Sequence, residues 1–146
     1  MVALREQAHI IAAISNYPSE KEHFSYDIGK WTVREVIGHL LDTERIFAYR
    51  ILRFSRKDAT PLSGFDENDY IRNSPFKNIP LRQLSAEWLS VRQSTVMLLE
   101  SLTDDCLDFE GVANQVVVSP RILAFMVFVH AEHHFKVLKE RYGVGG

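Results

Sequence analysis

The chain has 146 residues, of which 46% are hydrophobic and 25% charged, and its formal net charge is −2. That length suits one domain with a sizeable core, taken as residues 1–146, and that composition argues against disorder. Lysines and arginines are spread along the chain, so the basic stripe of a nucleic-acid binder is absent, and the single cysteine, Cys106, excludes an internal disulfide framework.

Leu4, Ala8, Ile11 and Ile14 recur at helical spacing and predict a first helix over about 2–15, ended by Asn16, Tyr17 and Pro18. A polar stretch through Gly29 leads to Trp31-Thr32-Val33-Arg34-Glu35. Here Thr32 is placed as N-cap, Glu35 three residues on completes a capping box, and Trp31 is placed to staple against Val36. The second helix then runs to about Phe54. Residues 56–79 are rich in proline, glycine and asparagine and read as a long crossover loop, a length often functional in a compact domain. A third helix is predicted over about 80–101. The acidic segment after it turns into Val116-Val117-Val118, which could pair locally but is too short for a sheet. Ser119-Pro120 then supplies an N-cap and an N1 proline for a last helix to about Tyr142, with Gly143 as its stop.

Four amphipathic helices without a convincing strand set predict an all-α, up-and-down four-helix bundle. The longest apolar run, Ile122 to Val129, is too short to cross a bilayer, and Arg5 and Glu6 stand where a signal peptide needs apolar residues. A cytoplasmic location is the expectation, with no membrane partner.

Three of the six histidines fall in His130-Ala131-Glu132-His133-His134. On a helix, His130 and His134 lie about 40° apart, one turn above the other, on the face carrying Leu123, Val127 and Leu138. Paired imidazoles at that spacing can hold one metal ion. A lone histidine on an apolar face is more often a hydrogen-bonded core residue, and His133 offers an alternative i, i+3 pairing. Glu132 points away from His130, so the glutamate of an H-E-x-x-H site has no counterpart here. On the second helix His39 sits at the edge of the apolar arc, beside Glu35, Thr43 and Arg50, and is the candidate third ligand.

The tryptophan-led helix start, Gly38-His39-Leu40, Asp42-Thr-Glu44-Arg45, the loop Pro61-Leu-Ser-Gly64-Phe-Asp66-Glu67 and the closing His130-x-x-His133-His134 resemble the DinB/YfiT-like superfamily of four-helix metal-binding proteins. The likeness runs over nearly the whole chain. It implies that His39, His130 and His134 bind a divalent transition metal, nickel or zinc, and it implies no activity on DNA. It further implies either a transferase that activates a low-molecular-weight thiol on the metal or a metal-dependent hydrolase.

Three neutral histidines leave coordination positions open, which suits a Lewis acid acting on a small-molecule substrate better than a closed structural site. The rival expectation is a non-catalytic metal- or ligand-binding bundle. Arg50 and the 61–76 loop are the candidates to orient an anionic or polar substrate, and they would line an open cleft in an enzyme. Glu44 points among apolar neighbours and calls for an arginine from another helix. Cys106 lies among carboxylates that disfavour its thiolate. Phe125, Phe128 and Phe135 form a second apolar stripe on the last helix; one short first helix does not hide all of it, so a two-fold homodimer is the expectation, with coverage by the first helix as the alternative.

Overall fold

A computed structural model describes residues 1–144. Four long helices make the bundle: α1 (Val2–Ile14), α2 (Val33–Ser55), α4 (Leu81–Glu100) and α6 (Pro120–Val137). Two short ones, α3 (Glu67–Arg72) and α5 (Asp104–Leu107), lie in the connections. Among the described residues no helix is long and apolar enough to cross a membrane.

The expected helix starts are built as the residues dictate. The Thr32 side chain accepts from the Glu35 amide, and the Glu35 carboxylate accepts in turn from the Thr32 amide at 2.8 Å. Ser119 caps α6 through the Ile122 amide, with Pro120 in the first turn. The last helix ends in a wider π-type turn over Leu138–Tyr142. Gly143 then stops it at φ 69°, a left-handed conformation that glycine adopts without a Cβ penalty.

The class is the expected four-helix bundle, but the directions do not simply alternate. Arg5 pairs with Glu100, and the Ser85 hydroxyl donates to the Ile11 carbonyl, so α1 and α4 are antiparallel. Arg34 donates to the Lys77 carbonyl, Arg45 pairs with Glu87 and Lys57 reaches Asp105, so α2 and α4 run the same way. Helix α6 runs opposite to α2, since His130 faces His39 while Tyr142, at its end, reaches the Trp31 carbonyl just before α2, and it lies alongside α1, where Gln7 meets Phe128 and Glu132. The order is therefore up, down, down, up. Parallel neighbours cannot be joined by a tight turn, and the 56–80 crossover returns the chain to the starting end of the bundle.

The crossover is pinned at both ends. Leu62 bonds across to Val112 and Asn114, and Phe76 packs on Gly38 in the second turn of α2. A Cβ at Gly38 would come within 2.2 Å of the Phe76 ring. Alanine would gain about 1 kcal/mol of helix propensity, but overpacking costs about 1–3 kcal/mol. Gly38→Ala should therefore lower stability in a urea melt, and a variant more stable than wild type would refute this packing.

One element exceeds expectation. Gly111–Ala113 and Val116–Val118 form a two-stranded antiparallel hairpin through Asn114 and Gln115, both at positive φ. The local pairing that Val116–Val118 allowed is thus realised, and the expectation that three residues are too short for a sheet is corrected: they suffice because a partner strand and a tight turn lie beside them.

The interior divides into two apolar clusters. One gathers Val33, Val36, Ile37, Leu40, Leu41, Leu81, Leu84, Trp88 and Leu138, and the other Phe47, Ile51, Phe54, Val96, Leu99 and Leu123. Between them Arg92, 1% exposed, donates to both Glu44 oxygens (2.8 and 2.9 Å), to the Leu4 carbonyl and to Gln7 Oε1, while Trp88 Nε1 donates to Glu44 at 2.7 Å. This is the arginine partner that the direction of Glu44 called for. The phenylalanine stripe is divided: Phe128 and Phe135 pack against the clusters, whereas Phe125 is 64% exposed.

Candidate metal centre

His39 occupies the part of α2 that faces α6, and the antiparallel crossing brings it level with His130 and His134. One nitrogen from each imidazole lies within 4.8 Å of those from the other two. His39 Nε2 faces His130 Nε2 at 3.0 Å. A tetrahedral ion with bonds of about 2.0–2.1 Å needs nitrogens about 3.3 Å apart, so small side-chain adjustments suffice. His133 is exposed and outside the group, its ring stacked edge-on against His134 at 5.1 Å. The i, i+4 pairing is the one that converges.

The electrostatics favour neutral rings. Burial first, then the neighbouring imidazoles, push His39 down to about 3. Burial also lowers His130 to about 4, helped by His133, and His134 to about 4, helped by His130 and His133. Neutral imidazoles are the state that ligates a metal. Their donor type and convergence fit a divalent transition metal. The other nitrogen of His39, Nδ1, lies 3.5 Å from the Thr43 hydroxyl, a buried group placed to fix the ring. The Trp31 indole covers the other flank, 4.9 Å from the His39 ring.

His134 opens on a cleft of about 310 Å³, walled by Tyr26, Trp31 and Tyr142 and edged by Lys30, Asn68 and His133. Of the crossover, only Asn68 reaches it. Arg50 does not line this cleft. It is 7% exposed, and its Nη2 donates to the Ser63 carbonyl at 2.9 Å while the guanidinium lies 6.0 Å from the Phe47 ring centre. The structure gives it a loop-anchoring bond, and the cationic edge of the cleft is Lys30, from the polar segment ahead of α2. Glu132 is exposed and accepts from Gln7 at 2.7 Å, away from the histidines as its helical angle predicted. Glu35 is held by its cap. Cys106 sits on α5, by the far end of α2, and His9 and His23 are exposed.

One residue was missed as a site group. Glu67, the first residue of α3, brings Oε2 to 3.5 Å from His39 Nε2. It lies in the 61–67 motif, but only the path of the crossover reveals its approach.

The sequence model of the DinB superfamily matches residues 4–138. A Geobacillus thermodenitrificans protein named "Putative metal-dependent hydrolase" is 26% identical over 141 residues, covering 92% of this chain and 77% of that protein. Among solved structures, YfiT from Bacillus subtilis, described as a probable metal-dependent hydrolase with an unusual four-helix bundle topology, is 20% identical and superposes with a TM-score of 0.79. That match spans 97% of this chain and 86% of that one, a likeness of fold.

Proposed function

The chain belongs to the DinB superfamily, and from that premise we propose that it is a metal-dependent hydrolase of small molecules, its divalent ion held by His39, His130 and His134. The observation that carries the reading is the convergence of three neutral imidazoles beside a cleft large enough for a small ligand. The name of the Geobacillus relative points the same way. An all-imidazole set suits nickel or zinc. Such an ion supplies Lewis acidity toward a carbonyl or phosphoryl oxygen, or toward a thiol.

The chain's own groups do the rest. Thr43 and Trp31 hold the His39 ring in place. Tyr26, Trp31 and Tyr142 offer apolar walls to a substrate body. Lys30, whose ammonium has no carboxylate within ion-pair distance among the described residues, and Asn68 can anchor a polar or anionic group. The same centre could serve transfer of a low-molecular-weight thiol. Because Cys106 is remote from the histidines, that thiol would come from solution as a co-substrate.

The test offers metal-loaded and metal-free protein activated esters and amides, then epoxides and other electrophiles with several cellular thiols. Metal-dependent ester or amide cleavage without thiol is the expected result. Turnover only with a thiol would move the assignment to transferase. No turnover anywhere, with an ion closed to added ligands, would leave a metal-binding bundle without catalysis.

A further inference from the structure

We infer that Glu67 is a fourth protein donor to the same ion, delivered from the crossover by α3; the inference rests on the metal reading above. The carboxylate approaches His39 at Nε2, the nitrogen that faces His130. It stands at the rim of the triad, since the group with mutual separations within 4.8 Å comprises the three imidazoles alone.

The first turn of α3 favours a carboxylate at this position, but it does not direct that carboxylate at His39. The cap of α3 is made by Asp66, whose side chain accepts from the Asp69 amide at 2.9 Å. The Arg72 of the same helix pairs with Asp69. No lysine or arginine lies within ion-pair distance of Glu67 among the described residues; His39 is its one partner of that kind. A carboxylate that is 57% exposed could extend into water at little cost, yet it points at a buried, neutral imidazole. A cation between them would explain the approach, because carboxylate oxygen is a common fourth ligand beside imidazole. It would also place one negative charge against a site otherwise built of neutral donors. Because the side chain is long and exposed, a short rotation carries it inward, and an incoming ligand can displace it.

Glu67→Gln and Glu67→Ala test this, with Asp69→Asn as a control that removes one negative charge from the same helix without facing the histidines. Zinc affinity is read by competition with a chromophoric chelator, and coordination by the visible absorption of the cobalt(II)-loaded protein. Both Glu67 variants should bind zinc about 10- to 100-fold more weakly and shift the cobalt(II) bands, while Asp69→Asn changes neither. Wild-type affinity and spectrum in the Glu67 variants would overturn the inference and leave the three-histidine centre intact. An equal loss in Asp69→Asn would also overturn it, by showing a general charge effect. A wild-type protein that binds neither ion would instead remove the metal reading itself.

Discussion

Alanine at His39, His130 or His134 is expected to reduce bound transition metal from about one ion per chain to nearly none. Each substitution removes one of three converging imidazoles, and the two that remain, even with the displaceable Glu67 carboxylate at the rim, hold the ion too weakly to compete with water and buffer. Metal-dependent turnover should fall with it. His133→Ala should keep the ion, since that ring is exposed and outside the group. A His133→Ala protein that loses metal while His134→Ala retains it would reverse the assignment. The pH dependence has a definite sign. Protons compete with metal only where the free rings become charged, and those rings are held near 3 to 4 rather than near the ordinary value of about 6.5. Zinc affinity should therefore stay nearly level from about pH 8 down to about pH 5.5, where an ordinary exposed histidine site would already have weakened. Affinity that declines steeply from pH 7 would contradict the buried, neutral triad.

The second large effect is on stability. Arg92→Ala should cost about 3–5 kcal/mol, because it leaves the Glu44 carboxylate buried without its cation. The same change strips hydrogen bonds from Leu4 and Gln7, so α1 loses one of its attachments to α4 as α2 loses its own. Urea denaturation measures this directly. A loss under about 1 kcal/mol would mean that water enters and solvates Glu44. Replacing Glu44 and Arg92 together by apolar residues of similar volume should recover much of the loss, since the desolvation cost disappears with both charges.

Much of this was legible in the chain. Thr32 with Glu35 and Ser119 with Pro120 act on neighbours a few residues away, so their caps follow from local chemistry. The i, i+4 histidines and the inward direction of Glu44 follow from helical angle alone. The parallel run of α2 and α4 was not legible, because it depends on Phe76 meeting Gly38 and on Arg34 meeting the Lys77 carbonyl. Local pairing of Val116–Val118 was legible, but its partner strand was not, because Gln115, a residue without a turn signature, adopts positive φ. At the site, the three ligands could be named from spacing and likeness. The cleft could not, since its walls join residues 26–31 with the end of α6. Arg50 sits on the row expected for a substrate contact, but the crossover packs over it, and Ser63 takes its hydrogen bond. The approach of Glu67 to His39 is likewise a product of the crossover's path.

The charged layer between the two apolar clusters bears on how the histidines stay level. Side chains of one kind repeat along a helix face every turn, about 5.4 Å. A bundle joined only by leucine-like residues would thus offer neighbouring alignments, one turn apart, of similar energy. Sliding α2 against α4 by one turn would set Glu44 opposite hydrocarbon and leave the Arg92 fork without its acceptors, a misalignment that no apolar contact repays. The layer works as a ruler: by fixing α2 along the bundle axis it fixes the height of His39, five residues before Glu44. Gln7, which accepts from Arg92 and donates to Phe128 and Glu132, ties α6 to the same layer, so its two histidines are set at the level of His39.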